Sequence, residues 1–204
     1  MAARLRQHSR LRRYRFIHRL LRVEEVSGFI LDLGGGPASF FGAMFSRPEQ
    51  VILLEVDCGR ACKAKRTKPA LRVIVADGEH LPLSDCSVSM TVCNSVIEHV
   101  DDPGALAREI DRVSQSYFLQ TPNGNFPLET HSFIAIPFYH VIPWIWLRRL
   151  VCEVYGASFE YVSSVCYLSE QQLKHIFPRA TITYETVLGL TKSYYVYRLG
   201  GNGR

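Results

Sequence analysis

The sequence predicts an α/β fold with a doubly wound sheet of seven strands, mostly parallel, the last strand antiparallel. Three observations predict it. Short apolar runs alternate with helical patterns along the chain. Successive apolar runs end in polar or acidic residues, and in a parallel sheet all those ends fall on one edge. The last two runs are separated only by Leu188 to Lys192, a gap that permits a hairpin but not a right-handed crossover. The 204 residues, 47% of them apolar, suffice for a sizeable core, and the chain reads as a single domain over 1–204.

The elements follow in order. Residues 1–10 read as a mobile end. A helix is expected over 11–24, with Tyr14, Ile17, Leu20 and Leu21 at helical spacing and Phe16 and Val23 nearby. Eight arginines (Arg4, Arg6, Arg10, Arg12, Arg13, Arg15, Arg19 and Arg22) precede the first acid, Glu24. The basic segment 1–26 therefore has three readings: a cap over a ligand site, a contact with acidic surfaces such as phospholipid or RNA, or an organelle targeting peptide. No apolar run of the secretory type follows it, so no secretory signal is expected. The first strand is 29–33, followed by a glycine turn and a short helix near 37–46 that turns Phe40, Phe41, Met44 and Phe45 inward. Arg47-Pro48-Glu49 breaks that helix, and strand two is 51–56.

A helical or irregular piece bearing Lys63, Lys65, Arg66 and Lys68 leads to strand three at 72–76. Residues 78–87 read as a loop and 88–94 as strand four. Asp101 or Asp102 caps a helix with Pro103 in its first turn and a stripe of Leu106, Ile110 and Val113. Strand five is expected over Tyr117 to Gln120, and an insertion spans 124–168. Ser169-Glu170-Gln171-Gln172 has the spacing of a capping box. Strands six and seven are expected near 180–187 and 193–199, and the glycine-rich end frays.

The chemistry concentrates at the strand ends. Phe29-Ile30-Leu31 runs into an acid, Asp32, then Gly34, Gly35 and Gly36 before a helix start. Such glycines let a ligand approach the backbone, and the helix start offers amide donors and a positive dipole end. An acid just before the glycines suits a ligand carrying an ammonium group. Glu55, ending strand two, lies about 20 residues past the last glycine, where a doubly wound fold places a carboxylate for ribose hydroxyls. Val56 follows it. Strand three ends in Asp77-Gly78-Glu79 and strand four in Asn94-Ser95.

These pieces, in this order, resemble the class I S-adenosylmethionine-dependent methyltransferases, of the type known as methyltransferase domain 11. The resemblance is carried by Leu31-Asp32-Leu33-Gly34-Gly35-Gly36, Glu55, Ala76-Asp77-Gly78-Glu79-His80-Leu81-Pro82-Leu83 and Ser95-Val96-Ile97-Glu98-His99-Val100, and Asp101-Asp102-Pro103 continues it. It runs from about residue 28 to 123. Ala38 departs from it, since the family often has a third glycine there. The resemblance implies a Rossmann-like sheet and S-adenosyl-L-methionine as cofactor. Asp32 would hold the methionine ammonium, directly or through water, with Gly34, Gly35 and Gly36 bordering methionine and ribose. Glu55 would accept from the ribose hydroxyls, with Val56 beside it, and Asp77 would face the adenine amino group beside Gly78 and Glu79. Asn94 and Ser95 complete the cofactor set. The methyl acceptor would be a small molecule or a lipid.

For an acceptor that must lose a proton, His99 and His131 are the candidate catalytic groups. His99 lies just past strand four, and a backbone-bonded histidine at a helix entry is its alternative reading. His131 lies in the loop after strand five, where the family usually contacts acceptors. Phe133 to Leu147 carries no Asp, Glu, Lys or Arg, and Pro137 and Pro143 interrupt it, so it is too short and broken to cross a membrane. It reads either as packing over the sheet or as a wall of the acceptor pocket, with Tyr139, His140, Trp144 and Trp146 as aromatic surface. Membrane-surface contact through this segment or the basic N-terminus is a further expectation, and the location expected is cytoplasmic or peripheral to a membrane.

Base amino-methylation of nucleic acid is not expected, because Asn94-Ser95-Val96-Ile97 lacks the prolines and aromatic residue of that turn. A nicotinamide oxidoreductase is the weaker alternative, since counting from Gly34 its third glycine is replaced by Ser39. A nucleoside-binding partner subunit without catalysis remains open, as does oligomeric state. The six cysteines form no Cys-x-x-Cys pair, and neither a metal site nor a disulfide is expected.

Overall fold

Strands of four to nine residues build the sheet, and the polar residues in and just past the ends of its parallel strands mark the edge that matters. The computed structural model describes residues 2–20, 25–37, 47–127, 142–156 and 158–200. Its elements are α1 (Ala2–Leu20), β1 (Ile30–Leu33), β2 (Val51–Glu55), α2 (Cys58–Thr67), β3 (Arg72–Val75), β4 (Val88–Asn94), α3 (Pro103–Val113), β5 (Ser114–Pro122), α4 (Ile145–Tyr155), α5 (Phe159–Ser164), α6 (Glu170–Ile176), β6 (Thr181–Val187) and β7 (Leu190–Arg198). The expected short helix near 37–46 and His131 lie outside the described residues, apart from the helix's first position.

The strands form one sheet in the order β3-β2-β1-β4-β5-β7-β6. The first five strands in that order pair in parallel, as the alternation requires. β7 is antiparallel to both β5 and β6, the arrangement anticipated from the short connection. That connection is a two-residue turn, Leu188-Gly189, with positive φ at both positions (51° and 80°), matching the twist of a hairpin.

The period-two pattern sorts side chains onto two faces. Leu31, Leu33, Leu54, Cys93, Tyr117, Leu119 and Val196 pack against Leu106, Ile110 and Val113 of α3 and Leu173 of α6. Ile30, Val51, Met90, Val92, Phe118 and Tyr195 form the opposite face, covered by Phe16, Ile17 and Leu20 of α1. The caps are those read from the sequence. Asp102 accepts from the amides of Gly104 and Ala105, and Ser169 with Gln172 makes the reciprocal capping box.

Two expectations need correction. Residues 2–10 belong to α1 rather than to a mobile end. Ala2, Leu5 and the arginines are good helix formers with no glycine or proline among them, so the helix already runs from Ala2. The piece after strand two takes the helical of its two expected forms, over ten residues, because the Asp57 carboxylate accepts from the Arg60 amide and starts it. β5 begins at Ser114, directly after α3, so the two share a boundary with no loop.

Candidate active site

Five strand ends meet along the carboxyl edge, and the sequence-predicted residues follow them across it. Asp32 and Glu55, third in β1 and last in β2, are both buried. Gly34 and Gly36 have φ of 70° and 65°, a backbone that side chains rarely adopt. A Cβ on Gly34 would stand 2.5 Å from Val96, and one on Gly36 would stand 2.6 Å from the Arg60 guanidinium and 3.2 Å from the Glu55 carboxylate. A Cβ on Gly35 would collide with the Asp32 carboxylate. Asp32, the three glycines and Glu55 are thus brought together in one concave turn, held by the bond from the Gly34 amide to Leu54 O (2.8 Å).

Val56, next to Glu55, is an apolar side chain left 73% exposed at this edge. The sequence reading missed Arg60. From the first turn of α2 it donates to Glu55 Oε1 at 3.1 Å. The five-residue spacing carried no signal by itself, and only the Asp57 cap turns Arg60 back over the strand end.

Beyond β3, the Asp77 carboxylate accepts from the Glu79 amide at 2.9 Å and holds its own turn. Glu79 Oε1 accepts from the amides of Asp101 (2.8 Å) and Asp102 (3.1 Å), tying this loop to the one after β4. Gly78 sits over the core, where a Cβ would meet Leu106 at 3.0 Å and Leu33 at 3.4 Å. Arg112 clamps the rest of the loop by donating to the carbonyls of Leu81 and Leu83 and to Glu109 and Asp85.

At the end of β4, Asn94 is exposed and Ser95 takes a positive φ of 57°. The Ser95 amide donates to Gln120 O (2.9 Å), and its hydroxyl donates to Gln120 Oε1 (2.7 Å), which fixes the turn against β5. The single helical turn Ile97–His99 follows, and His99 is half-buried there.

Two further groups stand out that the sequence reading did not single out. Glu98 is fully buried, and its Oε2 accepts from the Thr121 hydroxyl of β5 at 3.1 Å. Burial pushes its carboxyl up to about 8, against the opposing pull of its own amide, Thr121 and the Arg13 charge. Arg13 of α1 reaches the same edge from the opposite face, donating to Asn94 Oδ1 at 2.6 Å and Glu185 Oε2 at 3.2 Å. Glu98 had a sequence signal, an acid directly after the apolar pair Val96-Ile97. Arg13 had none among eight arginines.

The insertion is described at its two ends. Asn123 donates its amide to Lys192 O (2.9 Å), and the Cys166 amide donates to Glu98 O (2.8 Å). Gly124 lies against Tyr167. Between them, α4 exposes Trp144, Ile145, Trp146, Leu150 and Val154. Among the described residues no group of three metal-ligating side chains is found, and no helix is long and apolar enough to cross a membrane. None of the six cysteines is in a disulfide.

Residues 31–119 match the model of the family described as methyltransferase domain. An uncharacterized methyltransferase from Mycobacterium sp. (strain JLS) is 34% identical over 86 residues, covering 42% of this chain and 34% of that protein. A malonyl-[acyl-carrier protein] O-methyltransferase from Yersinia pestis is 31% identical over 100 residues, covering 48% of this chain and 38% of that protein. The chain thus matches about a third of the length of these curated relatives. Among solved structures, an S-adenosylmethionine-dependent methyltransferase from Mesorhizobium loti superposes with a TM-score of 0.59 at 17% identity, covering 89% of this chain and 96% of that one. That likeness shows the fold.

Proposed function

We propose that this chain is a class I S-adenosylmethionine-dependent methyltransferase, in keeping with its match to the family model and its fold, and that it transfers a methyl group to a small-molecule or lipophilic acceptor at the carboxyl ends of β4 and β5. One observation carries the reading. A buried carboxylate, three glycines and a second buried carboxylate converge on the adjacent ends of β1 and β2, with Gly34 and Gly36 in left-handed backbone.

S-adenosylmethionine fits that arrangement, and when bound it supplies an activated methyl whose bonding electrons leave with sulfur. Asp32 is the charge partner for an ammonium. Gly34, Gly35 and Gly36 leave room for the methionine and ribose. Glu55 accepts from ribose hydroxyls while Arg60 holds its orientation. The exposed Val56 side chain gives adenine an apolar surface, and the turn of Asp77, Gly78 and Glu79 borders its amino edge. Asn94 and Ser95 close the methionine end.

The acceptor then needs in-line placement and, for a hydroxyl or carboxyl oxygen, removal of a proton. Glu98, His99 and His131 are the groups for that task. Glu98 is held mostly protonated at neutral pH and becomes a base as pH rises through about 8. The insertion 124–168 acts as the acceptor wall and the segment 1–26 as the cap, on one domain spanning 1–204. The exposed apolar side chains of α4 favour a lipophilic acceptor and peripheral contact with a membrane surface, with the protein otherwise cytoplasmic.

A thermal-shift panel with S-adenosylmethionine, S-adenosylhomocysteine and NAD tests the reading. Ligand at about 100 times its dissociation constant adds about 2.7 kcal/mol, which for a chain of this size raises Tm by about 5–10 °C. A shift with both sulfur nucleosides and none with NAD is expected. A shift with NAD alone would replace the reading with an oxidoreductase. A shift with the nucleosides but no methyl transfer to any acceptor in a broad panel would favour the non-catalytic subunit.

A further inference from the structure

We propose that Arg13 forms a binding site for an anionic group on the acceptor, a carboxylate or a phosphate, at the junction of β4 and β5. This rests on the methyltransferase reading and names the class of acceptor it serves.

The argument begins with how α1 is fixed. Phe16 packs on Phe118, Tyr195 and Tyr197, with ring centroids 6.1, 5.1 and 6.3 Å apart, and Ile17 is buried in the same cluster. That anchoring places Arg13, one turn earlier on the helix, at the carboxyl edge. Its side chain is only 11% exposed. One Nη donates to Asn94 at the end of β4 and the other to Glu185 on β6, so the guanidinium spans the edge across β5 and β7.

Its partners do not match its donor set. Glu185 is shared: its other oxygen lies 3.3 Å from Lys192 Nζ, so two cations meet one carboxylate. Toward β4 the guanidinium donates to the neutral amide of Asn94, and on β7 the Tyr195 hydroxyl stands beside it. Its Nε is buried with no acceptor among the described residues. A buried guanidinium presents five donors in a fork that fits carboxylate or phosphate oxygens bidentately. The side lacking a charged partner faces the end of β4, where the cofactor half of the edge gives way to the acceptor half. Asn94 occupies there a place that an anion would hold more strongly. The nearby Glu98 carboxyl is held protonated by burial near neutral pH and so offers little competing negative charge.

The test is calorimetric titration of the full chain with octanoate, octyl phosphate and octanol, with and without S-adenosylhomocysteine. The alcohol shares the apolar tail and lacks the charge. At least one anion is expected to bind about tenfold or more tightly than octanol, the loss typical of one charge-assisted bond. The two anions distinguish a carboxylate acceptor from a phosphorylated one. Arg13→Gln is expected to abolish the preference for anions and leave S-adenosylhomocysteine affinity within about twofold. Arg15→Gln, exposed on the same helix, is expected to retain the preference.

Equal binding of octanol and both anions by the unsubstituted chain, or binding of none of the three, overturns the proposal whether or not Arg13→Gln folds. Retention of the preference in a folded Arg13→Gln variant reduces Arg13 to a structural clip and also overturns it. Titration of S-adenosylhomocysteine alone reads the parent proposal separately. A chain that binds it normally but fails the anion criterion loses only the anion site.

Discussion

Replacing Glu98 by glutamine separates its stability role from its chemical one. In the folded chain burial holds this carboxyl protonated up to about 8, whereas its ordinary value is 4.5. The folded state therefore binds a proton more tightly than the unfolded state. That contribution to stability is complete below about pH 4.5, declines through the window from 4.5 to 8, and is absent above it. The interval of about 3.5 pH units corresponds to a ceiling of about 5 kcal/mol, at 1.36 kcal/mol per unit. Glutamine keeps the shape and the acceptor for the Thr121 hydroxyl but cannot ionise. Glu98→Gln and the parent are thus expected to have similar urea midpoints at pH 5. At pH 8 the variant should be more stable by about 3–5 kcal/mol. Equilibrium urea unfolding at pH 5, 6, 7 and 8 measures this directly. A gap that stays constant over the series, or that favours the parent at pH 8, would refute the assignment of a buried neutral acid. If Glu98 is also the base, the variant that gains stability at pH 8 should lose the rise in turnover across the same pH range.

Glu55→Ala removes the charged acceptor proposed for the ribose and is expected to weaken S-adenosylhomocysteine roughly tenfold to a hundredfold by calorimetry, and unchanged affinity in a folded variant would sink that role. Gly36→Ala forces a side chain into left-handed backbone and against the Arg60–Glu55 pair, and should cost about 1–2 kcal/mol of stability together with a clear loss of cofactor affinity in the same titration. His131→Ala should lower turnover once an acceptor is found while leaving S-adenosylhomocysteine affinity nearly unchanged, and undiminished turnover would remove His131 from the acceptor site.

The sheet was legible because its signals are local. The bounds of β4 at 88–94, the Asp102 cap, the Leu106/Ile110/Val113 stripe and the Ser169 capping box each depend on residues within a few positions of one another. The antiparallel end was legible because a five-residue gap leaves no topological choice. Asp32, the glycines and Glu55 could be read for the same reason, as each closes or follows an apolar run. What escaped is long-range. Arg13 and Asn94 are 81 positions apart and Glu185 is 172 from Arg13, so no spacing along the chain joins them. Glu79 reads equally well as a ligand group and as the acceptor for two amides about twenty residues away. Only the folded loop shows the second. Glu98 follows an apolar pair in the sequence, but only the folded chain shows Thr121 and the core enclosing it.

The two ends of the insertion lie side by side, with Gly124 against Tyr167, and Asn123 and Cys166 each donate a backbone amide to the scaffold outside it. A segment whose ends are held together in this way has its closure already enforced by the sheet. Doubling the length of such a segment costs only about 0.6 kcal/mol in chain entropy. Changes of length between those fixed ends therefore disturb the strands beneath them little, and Asn123 and Cys166 are the natural junctions for exchanging the segment. Chimeras that exchange residues 124–166 at those two points should inherit the acceptor preference of the segment's source.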